Sequence, residues 1–306
     1  MDGASCNLAN PVGEECQTSG CSVASMPMIA ALVAALLASP VSQLSDADLD
    51  ARLAQVHTLP FPERVERLSG VFLGTPYGEL PLGDGSGPES GARFRTDKVD
   101  CQTYVETVLA MANAKSLAEA RHLLDDIRYK GEPGFDNRNH FTEAQWLPAN
   151  TEKGYFTDEV PVLDGRAPTE TLMLVHAQWS KVPGLKRLAN INNIPDGKYH
   201  VRYLPLDELR AHVKSIGSGS IIMVVREYDP NRVVRISHMG FVIKTDKGWM
   251  VRHASTGPEH AVIEVPFGEY VEKMSSFKKW KVVGFALAQP VDATLRVSQI
   301  TRTAAN

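Results

Sequence analysis

The sequence predicts an α+β fold, with helices first and an antiparallel sheet after, on three observations. Between about residues 45 and 131, apolar residues recur at helical spacing in four separate stretches. From about residue 197 the pattern shifts to short β-rich runs separated by Gly, Asp or Pro turns. Helices followed by an antiparallel meander make an α+β domain.

Taken in order, "SDADLDARLAQVH" offers Ser45 and Asp46 as caps and Leu49, Leu53 and Val56 as an apolar stripe. "FPERVERLSGVFLG" is a second helix with Pro62 in its first turn, where a missing N–H costs nothing. "GTPYGELPLGDGSGPESGARF" is a Gly/Pro-rich loop. "TDKVDCQTYVETVLA" starts a third helix, with Thr96 or Asp97 as its cap, and "SLAEARHLLDDIRYKG" is a fourth, amphipathic one. "GFDNRNHFTEAQWLPANTEKGYF" is polar and aromatic without clear periodicity, and its five aromatics argue for order. Six β-rich segments follow: "KYHVRYLPL", "GSIIMVVRE", "RISHMGFVIK", "GWMVRHAS", "AVIEVP" and "KVVGFALA". Two helical interruptions, "LDELRAHVKS" and "PFGEYVEKMSS", lie among them. Nothing between resembles a flexible linker. The expected organisation is an N-terminal tail over 1–42, one domain over 45–290 and a polar C-terminal tail over 291–306.

A chain of 306 residues, 43% of them hydrophobic, can bury a substantial core. A net charge of -4 and a pI near 6.2 show no basic excess, which argues against nucleic acid or an anionic membrane as partner. The first fifty residues contain neither Lys nor Arg, and within them lies "MPMIAALVAALLASPVS". Its apolar part is too short to span a bilayer comfortably and fits the hydrophobic region of a signal peptide. The alternative is an N-terminal helix packed on the domain. The export reading places the protein in the periplasm or cell envelope. It leaves no stable membrane anchor, since no cysteine stands directly after the apolar run to take a lipid.

Cys6, Cys16 and Cys21 all precede that run and would leave with a signal peptide, so the mature body would carry one thiol, Cys101. Two readings of Cys101 stand. It shares a helical face with Tyr104, Val105, Val108, Leu109 and Ala112, as a small core residue would. It also lies in the first turn of a helix, where backbone N–H groups and the positive dipole end favour a thiolate and can hold an oxyanion. The nucleophile reading needs a base. His238 in "ISHMGF" and His253 in "VRHAS" stand on segments joined by the turn "TDKG". A hairpin about Asp246-Lys247 sets 238 roughly opposite 255, with 253 a diagonal neighbour within side-chain reach. Thiol, imidazole and an orienting polar group form a cysteine-nucleophile triad. Either histidine alone is equally a hydrogen-bonded structural residue.

"DCQTYVETVLA" followed by "SHMGFVI" and "HAS" resembles the NlpC-type papain-like cell-wall hydrolases. The common motif of that superfamily has Ser-Gly after Asp-Cys; here Gln102-Thr103 stands there. That departure, with "FLGTPYG" and "IRYKGEPGFDNRNHFTEAQWLPAN", is similar to the N-acetylmuramoyl-L-alanine amidase-like branch, over roughly residues 65–288. The resemblance implies a papain-like fold, with a helix bearing the nucleophilic Cys packed on an antiparallel sheet bearing the His. It implies a bacterial envelope enzyme that cleaves the amide between muramic acid and L-alanine, with peptidoglycan or a muropeptide as substrate and no cofactor or metal. It assigns Cys101 as nucleophile, His238 as base and His253 as orienting residue. Tyr77 matches an oxyanion-supporting tyrosine, or else it is a loop aromatic covering the core. Asp100 braces the helix or faces solvent. Arg138, His140 and Trp146 have the chemistry for a peptidoglycan fragment, or else they brace their own loop. Alternatives for the whole are an endopeptidase cutting beside D-glutamate, a zinc site of Cys101, His238 and His253, or a catalytically silent cell-wall-binding module. No short-spaced ligand pair supports the zinc reading.

Overall fold

The computed structural model describes residues 40–304 apart from 80, 189 and 192–195, with the side chains of 183, 184 and 301–304 also left undescribed. The apolar run, the three early cysteines and the signal-peptide expectation therefore lie outside the described residues.

The chain enters through helix α1 (Asp46–Val56), whose cap Ser45 forms a capping box with Asp48. Helix α2 (Phe61–Val71) follows, with Pro62 in its first turn. Helix α3 (Cys101–Asn113) starts at the cysteine itself. Its cap is Asp100 rather than Thr96 or Asp97, because the Asp100 carboxylate accepts from the backbone N–H of Thr103 at 2.7 Å. Every residue of α3 from Thr103 to Asn113 is buried, not one face alone, because the helix is enclosed by its neighbours and by the sheet. Helix α4 (Leu117–Arg128) packs along it. The aperiodic stretch resolves into a π-helical turn over Thr142–Trp146 running into helix α5 (Leu147–Glu152). Hydrogen bonds that reach five residues along the chain rather than four widen the turn, so no 3.6-residue pattern is visible there.

The main sheet has seven strands: β1 (Phe156–Asp158), β4 (Leu204–Pro205), β5 (Ser220–Arg226), β6 (Ile236–Thr245), β7 (Gly248–Ala254), β8 (Val262–Pro266) and β9 (Val282–Pro290). Their order is β1-β9-β5-β6-β7-β8, with β4 also on β9, and all pairings are antiparallel. The expected meander holds from β5 to β8. Strand β9 then returns to the far edge of β5.

The short helices α6 (Val160–Leu163) and α7 (His176–Trp179) precede the last three, α8 (Leu206–His212), α9 (Phe267–Ser275) and α10 (Thr294–Ala304). Helix α9 makes the crossing to β9, burying Phe267, Tyr270, Val271 and Met274 against the face of the sheet that carries Val224, Val242, Val251 and Phe285. The opposite face carries Met223, Met239, Phe241 and Ile243 against α3. Two cores thus sandwich the sheet.

Two elements differ from expectation. The segment from 198 does not enter the main sheet as one strand. Its first part, β3 (Gly197–Arg202), pairs with β2 (Thr169–Leu174), a strand unmarked in the sequence reading because three of its six residues are exposed. The stretch after 290, read as a polar tail, forms α10, and its Arg296 pairs with Asp126 of α4. No helix among the described residues is long and apolar enough to cross a membrane.

Candidate active site

The site is built where the start of α3 meets β6 and β7. Asp100 and Thr103 close a reciprocal cap: the Thr103 hydroxyl accepts from the Asp100 N–H at 2.8 Å while the Asp100 carboxylate accepts from the Thr103 N–H. This gives the departure from Ser-Gly a physical use. Thr103 supplies the second half of the capping box, and Gln102 donates to Glu106 at 3.0 Å. Glu106 is in turn locked to Arg128 of α4 at 2.8 Å, both side chains being buried. The helix start is therefore held rigidly, and half-buried Cys101 with it.

The Cys101 thiol lies against the backbone N–H groups of Met239, Gln102 and its own residue, all of which favour a thiolate. Burial, aided by the negative charge of Asp100, overrides them and pushes the thiol up to about 12. The expected lowering by the helix start is thus outweighed: desolvation of a thiolate costs more than three amide dipoles return. The resting sulfur is a neutral thiol.

Met239 immediately follows His238, so the same strand that touches the thiol carries the first imidazole. His238 Nε2 and His253 Nδ1 are 2.8 Å apart, with the rings nearly perpendicular. The strand register matches the hairpin derivation: Phe241 pairs with Arg252 and Val242 with Val251, which continues to 238 opposite 255. Gly240 makes this closeness possible. A Cβ there would stand 2.4 Å from the Arg252 carbonyl oxygen and 2.8 Å from the Cβ of His253. Both imidazoles are held neutral. Burial, the charge of His253 and then the cations Arg226 and Lys273 bring His238 down to about 3; burial and then Lys273 bring His253 to about 4. The two facing nitrogens are spent on each other, which leaves the pair unsuited to chelating one metal ion together. Among the described residues no group of three or more His, Cys, Asp or Glu side chains is placed to hold a metal.

Tyr77 is brought in by its loop. Its N–H donates to the His260 carbonyl at 2.8 Å, and Gly78 donates to Val99, two residues before Cys101. Burial first, then the nearby charges of Cys101 and Asp100, push the phenol up to about 12, so it stays a neutral donor beside the thiol.

Arg138, His140 and Trp146 have internal employment. Arg138 is buried, with Asp84 and Glu89 as ion-pair partners, and Tyr129 donates to the same Asp84 at 2.6 Å. His140 Nε2 sits 2.7 Å from the Phe135 carbonyl. Trp146 is 0% exposed and packs on Phe156, so it offers no aromatic face to a sugar. These three brace the loops around α4. The structure does not bring them to the thiol. Cavities of about 790 and 700 Å³ flank α5, but Cys101, His238 and His253 line neither.

Residues without a motif complete the site. Glu143, in the π-helical turn, accepts from the backbone N–H groups of both Arg235 and Ile236, fixing the entry of β6 just ahead of His238. Tyr270 of α9 lies under the imidazoles, its ring 5.0 Å from that of His253, and its buried hydroxyl has no partner among the described residues. A carboxylate in a turn and a tyrosine on an amphipathic helix give no signal until the fold places them.

The class is a mixed helix and antiparallel-sheet protein in which a helix-start thiol lies beside the strand that carries His238, paired in turn with His253. Comparison gives the family. The model of the AmiA-like, N-acetylmuramoyl-L-alanine amidase-like family matches residues 67–277, and the chain belongs to that family of amidase-like peptidoglycan hydrolases. The fold is similar to that of protein LPG0564 from Legionella pneumophila, with 25% identity, a TM-score of 0.72, and coverage of 82% of this chain and 96% of that one. It is also similar to an N-acetylmuramoyl-L-alanine amidase from Bacteroides uniformis at 24% identity and a TM-score of 0.59, over 75% and 98% of the two chains. No curated protein matches the sequence.

Proposed function

We propose that the protein is a cysteine-dependent amidase of papain-like arrangement that cleaves the N-acetylmuramoyl-L-alanine bond of muropeptides. The observation that carries this reading is the 2.8 Å contact between His238 and His253 on the strand whose Met239 N–H touches the Cys101 thiol. His238 donates its Nε2–H to His253 Nδ1, which leaves Nδ1 of His238 as the free base. It takes the thiol proton as sulfur attacks the amide carbonyl. In this reading the N–H groups at the start of α3 and the Tyr77 phenol hold the oxyanion. Collapse breaks the C–N bond, and the departing amine takes the proton from His238. Water, deprotonated by the same imidazole, then hydrolyses the thioester and frees the muramic carboxylate.

Because thiol and imidazoles rest neutral, no thiolate–imidazolium pair forms in advance, and proton transfer accompanies attack. Cys101→Ala should abolish release of L-alanyl peptide from a muramyl-tripeptide while circular dichroism stays unchanged. Retained turnover would end the nucleophile reading.

The same reading places the protein outside the cytoplasmic membrane, where murein lies. Support comes from the apolar run within residues 26–42 and from Cys101, a free thiol. N-terminal sequencing of protein from fractionated native cells should find the periplasmic form cut between about residues 38 and 45. A cytosolic chain still beginning before Met26 would refute export.

A further inference from the structure

We infer that Arg226 is the recognition residue for a free carboxylate on the substrate, set beside the catalytic imidazoles and backed by Lys273. The inference rests on the amidase reading and adds to it the charge of the fragment that binds. Arg226 closes β5, and the residue is 7% exposed. Nε donates to the Ser237 hydroxyl at 2.8 Å, and Ser237 immediately precedes His238. Nη1 donates to the Trp280 carbonyl at 2.9 Å. The remaining nitrogen, Nη2, has no partner among the described residues.

A buried guanidinium ordinarily sits against a carboxylate, since desolvating an unpaired charge is costly. Arg226 takes part in no ion pair among the described residues, and the charges it feels are those of Tyr270 and Arg232. The other buried arginines named above do have acids: Arg128 has Glu106, and Arg138 has Asp84 and Glu89. The guanidinium instead lies over aromatic rings, 4.8 Å from the centroid of Phe277 and 5.4 Å from that of Trp280. Arg232 also stacks on Trp280, at 4.1 Å, and has Asp229 at 3.6 Å. Exposed Lys273 of α9 faces the same pair of histidines. Glu259 is the acid that reaches His253, and no acid acts comparably on His238.

The backbone supports the same reading. Trp280, which gives Arg226 its carbonyl, holds φ at 54°, a left-handed conformation that a bulky residue rarely adopts. A strained residue therefore fixes the guanidinium in place, with one edge open and no internal anion. A stem peptide carrying a free carboxylate supplies that anion. A single open guanidinium edge flanked by aromatic faces suits such a planar group on a partly apolar ligand.

The test compares two synthetic muramyl-peptides that differ at one group, a free α-carboxylate on the second amino acid against its carboxamide. Wild-type protein should cleave the acid with a kcat/KM about tenfold to a hundredfold above the amide, the range of a charge-assisted hydrogen bond. Arg226→Gln should lose that preference, with the KM for the acid rising towards that for the amide. Arg226→Lys, which keeps the charge but not the fork, should restore part of it. Equal cleavage of acid and amide by wild type would overturn the proposal, and that arm needs no variant to fold. So would an equal loss on both substrates in a folded Arg226→Gln. Cleavage of neither compound would sink the amidase reading instead. In that case calorimetric titration of both fragments into wild type still tests the guanidinium, with equal affinities counting against it.

Discussion

At the scale of single residues, the site depends on three groups that stay neutral at pH 7 although each lies near charge. Burial dominates at Cys101, His238 and His253 alike, so the proposed mechanism requires a base that accepts a proton during attack. This has a readable consequence. The acid limb of kcat/KM should fall below about pH 5, because His238 and His253 titrate near 3 and 4 rather than at the ordinary 6.5. An acid limb centred at pH 6.5 would show that the imidazoles are not depressed. Stability follows the same groups. Between about pH 6.5 and 4 the unfolded chain binds protons that the folded histidines refuse, so stability falls as pH drops through that window. The melting temperature should decline from pH 7 to 4, and less steeply in His253→Gln. Cys101 itself was legible as a cysteine at a helix start with histidines elsewhere. Its raised proton affinity was not, because helix position announces the dipole and says nothing of the depth of burial.

At the scale of elements, two devices hold the proposed catalytic groups in register. Gly240 lets β6 and β7 approach closely enough for the histidines to meet. Gly240→Ala places a methyl 2.4 Å from a backbone oxygen, so the strands must part. The expected cost is about 1–3 kcal/mol or more in denaturant unfolding, with a larger loss of activity than of stability. Unchanged activity would mean that the histidine contact is dispensable. The second device is Glu143, whose carboxylate gathers two backbone N–H groups at the entry of β6. Glu143→Gln should lower stability by about 1–3 kcal/mol and reduce kcat more than it raises KM, as misplacement of His238 would. The hairpin was readable from the "TDKG" turn and the alternation around it, and the register followed from arithmetic. The π-helical turn that carries Glu143 was not, since its widened turn breaks the 3.6-residue period that a pattern search looks for.

At the scale of the whole molecule, one sheet is buried on both faces, and its reactive end gathers groups from distant parts of the chain. Helix α3 brings the thiol, β6 and β7 the histidines, the loop at Tyr77 a phenol, and β5 and α9 the cations. The order of helices and strands was legible because each has a strong local period. The pairing of β2 with β3 was not, because three exposed residues in six-residue β2 break the apolar run. Nor was the return of β9 beside β5, a choice made by α9 packing across the sheet. The same limit explains Arg138, His140 and Trp146. Their chemistry suits a ligand, but tertiary ion pairs and burial turn it inward. The central claim concerns which bond this assembly cuts, and mass analysis of products from a muramyl-tripeptide tests it most directly. Wild-type protein should release free L-alanyl peptide and intact muramic acid, and Cys101→Ala should release neither. Muramyl-L-alanine with a shortened peptide would contradict the account, indicating an endopeptidase built on the same site.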